Sequence, residues 1–298
     1  MTPQDALREY IRESERRVIV DGVFCARMSH EIAKKFDVGE YNARLEEHKK
    51  CINELTKMQI KYPANAKPVF YLYIVPDEDF AELLQYPYKD RKGGGKPVDS
   101  YDMDSFNAAY GSSQNVLISD KPVSINQHVN NIHEYAHLIQ FQFGFDAQMF
   151  QEGFAELVPW YVMEYEKKQP MHLIAMRSMS KIYTANELLS DVEFTSDRVP
   201  NMTCSFQPSY MSSYLWVRAV VEHIRTKYSL SRVGATQQFL ELYHNIKSSK
   251  QLFVQKLAKE IGMDADKLLN STEYQNAVLK QIETENVLQD MNTKGNEK

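Results

Sequence analysis

Cysteine is scarce in this chain: Cys25, Cys51 and Cys204 are the only three among 298 residues. They are odd in number, far apart and free of CxxC spacing, which excludes a disulfide framework as the scaffold. Cys25 reads as a buried structural thiol. Long apolar runs are missing as well. No window approaches the ~18 apolar residues of a membrane-spanning helix, so no membrane partner is expected. Charge of one sign is equally lacking, with 35 Lys and Arg against 40 Asp and Glu and a formal net charge of -5. A nucleic-acid partner would favour a clustered basic face. The richest basic stretch, Lys89 to Lys96, is broken by Asp90 and three glycines and reads as a flexible surface loop. No nucleic-acid partner is expected. The first twenty residues read as charged helix without the apolar segment of a secretory leader. As written the chain reads as cytoplasmic, or as secreted had a leader been removed. Internal repeats and low-complexity tracts are absent too, and the oligomeric state stays open.

What remains is ordinary globular composition, 43% hydrophobic and 25% charged, enough for a sizeable core. A helix is expected over residues 3–16, a short strand at 17–24 and a long charged helix over 40–61, ended by Tyr62-Pro63. The β-branched and aromatic run from Val69 to Val75, bounded by Pro68 and Pro76, predicts a buried strand. A short helix over 77–84 and a long loop over 86–110 follow, and loops of that length are often functional. Asn115 to Ser119 predicts a second strand near a sheet edge, able to take an extended substrate by strand addition. Helices are expected at 124–143, 148–167, 208–228, 232–246, 249–261 and 272–288. The expected fold is α+β, a small sheet packed on helices, followed by a mainly helical C-terminal half. Its divisions are a helical extension over 1–66, a part over 67–146 holding the sheet and the helix at 124–143, and a helical part over 147–298, with 66–270 forming one unit.

The informative segment is His133-Glu134-Tyr135-Ala136-His137. Histidines four apart on a helix project from one face, so both imidazoles can reach a single metal ion. Helicity has independent support: Ile125, Val129, Ile132, Ala136, Ile139 and Phe143 recur at three- and four-residue steps. Glu134 lies between the histidines in sequence, placed to hold and deprotonate a water activated by the metal. A third ligand is needed. Fourteen residues separate His137 from Glu152, room for a helix end, a turn and a returning helix. Glu152 and Glu156 stand one turn apart on that helix; one can ligate zinc while the other accepts the free ring N–H of a ligand histidine.

The HEYAH segment followed by Gln151-Glu152-Gly153-Phe154-Ala155-Glu156 resembles the gluzincin zinc metallopeptidases, in particular the peptidase MA-like group. The resemblance extends over residues 68–270. It implies a zincin-like fold, one zinc ion per chain, and a peptide or protein substrate. Carried onto this sequence, it implies His133, His137 and Glu152 as metal ligands, Glu134 as general base, and Glu156 as the residue orienting the first histidine. It further implies Tyr210, or Tyr214 in its place, as the phenol that supports the oxyanion. The stretch from Tyr110 to Asn115 departs from the aminopeptidase signature, which points to endopeptidase activity. Two alternatives stay open: an effector- or toxin-like protease for one protein target, and a metal-containing binding module without turnover.

Overall fold

The protein is represented by a computed structural model that describes residues 15–20, 24–28, 54, 70–75, 108–112, 115–119, 125–140, 143–165, 176–177, 179, 181–190 and 207–295. Glu54 aside, the described side chains lie between 129 and 285. The expected helices at 40–61 and 77–84, apart from Glu54, and most of those at 3–16 and of the loop at 86–110 fall outside the described residues. The chain divides into two compact units, Met1–Ile139 and Gln140–Lys298.

In the first unit, short runs rich in β-branched and aromatic residues pair as strands. Strands β1 (Glu15–Val20) and β2 (Phe24–Met28) form an antiparallel pair with a register shift between Val18 and Val20. The strand expected at 17–24 is thus a hairpin of two. Strand β3 (Phe70–Val75) runs parallel to β2, and β5 (Asn115–Ser119) runs parallel to β3. Strand β4 (Ala108–Ser112) lies antiparallel to β5, so the order is β1-β2-β3-β5-β4. Strand β5 therefore has both backbone edges paired. The expected edge position at Asn115 to Ser119, and with it substrate docking by strand addition there, is withdrawn: strand addition needs unpaired backbone groups. Helix α1 (Ile125–Gln140) follows.

The second unit is helical: α2 (Gln148–Leu157), a π turn (Val158–Val162), α3 (Ala185–Leu188), α4 (Pro208–Tyr228), α5 (Arg232–Ile246), α6 (Lys250–Ile261), α7 (Ala265–Asn270) and α8 (Glu273–Gly295). Helix α4 is its axis. Every residue from Met211 to Val221 is buried, the mark of a helix enclosed on all sides. Helices α2, α5 and α8 all pack on it. The Trp216 indole donates to Leu268 O at 2.9 Å and ties α4 to α7. Aromatic rings fill the space beside α2: Phe150 lies edge-on to Phe253, centroids 5.1 Å apart, and Tyr243 tilts over Phe145 at 4.0 Å.

Helix ends follow from sequence chemistry. Ser231 and Asp264 cap α5 and α7 by accepting backbone N–H groups, and Gly262 ends α6 at φ 73°. Thr184 and Glu187 form a reciprocal capping box at α3. A hydrogen bond from Lys181, helped by Thr184, holds the Glu187 carboxyl below its ordinary value. A carboxyl depressed in the folded state stabilises above its unfolded pKa, and that share is lost as pH falls through the folded one. Thr184→Ala is expected to cost about 1 kcal/mol, read as a lower urea midpoint at unchanged slope.

The fold class needs correction from α+β to mainly helical. Every described buried side chain lies at Val129 or beyond, in a helix or a segment joining helices. A short β-branched run discloses a strand locally, but class is decided by which elements bury surface against each other, and here the described core is helix on helix. Helix α1 is described as far as Gln140, and Gly144 lies in the left-handed region at φ 71°. One smaller correction has a local cause. The helix expected over 148–167 changes to π winding at Val158 and ends before Glu164, which sits at φ 58°.

Candidate metal centre

Helix α1 forms because its apolar residues fall on one stripe, and that stripe is buried: Val129, Ile132 and Ala136 are at most 2% exposed. His133 and His137 follow Ile132 and Ala136 by one residue and are drawn under cover with them, at 7% and 9% exposed. Their rings meet edge to face with centroids 4.7 Å apart, and the two Nε2 atoms stand 3.0 Å apart. Two imidazole nitrogens converge on one point. His137 also lies in the last turn of α1, where the helix dipole favours positive charge.

The carboxylate comes from the next helix. Entry into α2 is held by side chains: Tyr243 donates to Asp146 Oδ1 at 2.7 Å, Asp146 N–H donates to the Tyr243 hydroxyl oxygen at 3.2 Å, and Gln151 donates to Phe145 O at 2.9 Å. Burial first, and the hydrogen bond to Asp146 next, push the Tyr243 phenol well above its ordinary range, so it stays a donor. Glu152 follows in the second turn, half-buried. One ligand atom from each of His133, His137 and Glu152 lies within 4.8 Å of the others. These three residues form a group that can hold a metal ion. The donor set fits one: metal–nitrogen bonds of about 2.0–2.1 Å in a tetrahedral site set two ring nitrogens about 3.3 Å apart, close to the spacing observed.

The other expected residues fall as follows. Glu134 is half-buried on α1. Glu156 is fully buried on α2, and its Oε2 accepts the Trp160 indole N–H at 2.6 Å. Tyr210 is half-buried in the first turn of α4. Tyr214, one turn on, is fully buried with its hydroxyl accepting from Arg218 Nη1 at 2.7 Å, which ties it to the interior of the helical unit.

Three residues escaped the sequence reading. Gly153 is one: a methyl there would lie 2.6 Å from Ser213 O and 2.7 Å from Val217 Cγ2. The absent side chain lets α2 lie directly on the backbone of α4. An isolated glycine inside a helical pattern carries that signal. Trp160 is the second, one turn beyond Glu156. Arg218 is the third, a guanidinium at 0% exposure with the Tyr161 ring 4.8 Å below it. Nothing in the local pattern sets Arg218 apart from a solvated arginine.

No protein-family model matches the chain, and no curated protein sequence matches it either.

Proposed function

We propose that the protein is a zinc-dependent metallopeptidase of gluzincin type. The observation that carries this is the convergence of His133, His137 and Glu152 within 4.8 Å, from two helices consecutive in the chain. Two imidazoles and one carboxylate are the donor set of catalytic zinc sites that keep a position open. His133, His137 and Glu152 would hold the zinc ion, which when bound would lower the pKa of a water toward neutrality and polarise a carbonyl. Glu134, one residue past His133, takes the proton from the attacking water and returns it to the leaving amine. Tyr210 donates its phenol hydrogen to the oxyanion as charge develops. Glu156 holds a ligand histidine in orientation from behind. The substrate is a peptide or protein, cut within the chain.

Metal content is the direct test. Purified wild type is expected to carry about one zinc per chain by mass spectrometry, as a three-ligand catalytic site requires, and His137→Ala and Glu152→Ala to lose it. A wild type without zinc after reconstitution ends the proposal.

A further inference from the structure

A carboxylate buried as completely as that of Glu156 keeps one orientation only while donors hold it. One donor is the indole of Trp160, at 2.6 Å from Oε2. An indole N–H donates only, so the direction of this bond is fixed.

Trp160 owes its place to an irregular piece of backbone. Pro159 has no N–H to continue the α ladder. The chain rewinds as a π turn from Val158 to Val162, with Met163 N–H donating to Val158 O at 2.9 Å. Such turns recur at functional sites. Trp160 is 1% exposed, so its ring is gripped on all sides and its N–H has a fixed direction.

We infer that Trp160 is a positioning residue of the metal centre, fixing the Glu156 carboxylate through its indole N–H and thereby setting metal affinity. The inference rests on the proposed ligand set, with Glu156 one turn beyond Glu152 on the same face of α2. Trp160 offers no ligand atom of its own and acts through Glu156. Groups hydrogen-bonded behind metal ligands change affinity by about 10–100-fold when removed.

The test is a double-mutant cycle read as zinc affinity, by competition with a chromophoric chelator on the full chain. Trp160→Phe removes the N–H and keeps most of the ring. It is expected to weaken zinc binding about 10-fold, and Glu156→Gln about 10–100-fold. The double variant binds no more weakly than Glu156→Gln alone, because both changes break one link. Additive losses mean that Trp160 acts through packing only, and an unchanged affinity in Trp160→Phe also overturns the inference. Should that variant fail to fold, β-(3-benzothienyl)alanine at position 160 replaces the N–H by sulfur at nearly constant volume. Wild-type affinity in that protein overturns the inference equally. A wild type that binds no zinc removes the ligand set itself, whereas a zinc-binding wild type with an unaltered Trp160→Phe variant removes only the role of Trp160.

Discussion

Glu134→Gln is expected to retain about one zinc per chain while kcat falls by about 10²–10⁴-fold, the range that general-base catalysis supplies. The physical reason is narrow. Glutamine matches glutamate in shape, so the half-buried position is refilled without strain and the ligand atoms of His133, His137 and Glu152 stay where they are. An amide oxygen does not take a proton at neutral pH, and that is the one function removed. Metal content by mass spectrometry and peptide cleavage, followed by liquid chromatography on a mixed peptide pool, separate the two effects. Undiminished cleavage at full zinc occupancy would sink the mechanism; loss of zinc together with activity would move Glu134 from the chemistry to the construction of the site.

The second large effect has a sign opposite to helix propensity. In an ordinary helix interior, Gly→Ala stabilises by up to about 1 kcal/mol. Gly153→Ala is expected instead to destabilise by about 1–3 kcal/mol, the usual cost of overpacking a filled core. The methyl would stand 2.6 Å from Ser213 O, and backbone on the rigid axis of the unit does not yield as a flexible side chain can. Relief comes by lifting α2 off α4. Glu152 is the adjacent residue on α2, so the same variant is expected to weaken zinc binding. Chemical denaturation measures the first effect and chelator competition the second. A stabilised Gly153→Ala protein with native zinc affinity would show that the two helices are not held at this spacing.

Helix α1 was legible because its evidence is local. A stripe at three- and four-residue steps and two histidines one turn apart need only helical geometry to be read, and both histidines lie on α1. Helices α4, α5, α6 and α8 were found within a residue at their starts for the same reason. The strand at Asn115 to Ser119 was visible as a strand, yet its neighbours were not. Pairing on both edges is supplied by residues 71–75 and 108–112, remote in sequence. The α+β class failed on similar ground, since strand-forming runs say nothing of what buries against what. The π turn was missed although Pro159 stood in view, because the loss of one N–H can end a helix, kink it or rewind it.

By itself the sequence determined the two histidines one turn apart on α1, and the carboxylates Glu152 and Glu156 one turn apart on the helix that follows. Those are properties of adjacent residues under a known helical period. Only the tertiary structure decided that Glu152 comes within 4.8 Å of both histidines, that Glu156 receives the Trp160 indole, that Gly153 is a contact surface, and that Arg218 lies in the core. Each of these depends on groups brought together across the chain or on winding that breaks the regular period, where burial and close packing, not local propensity, set the outcome.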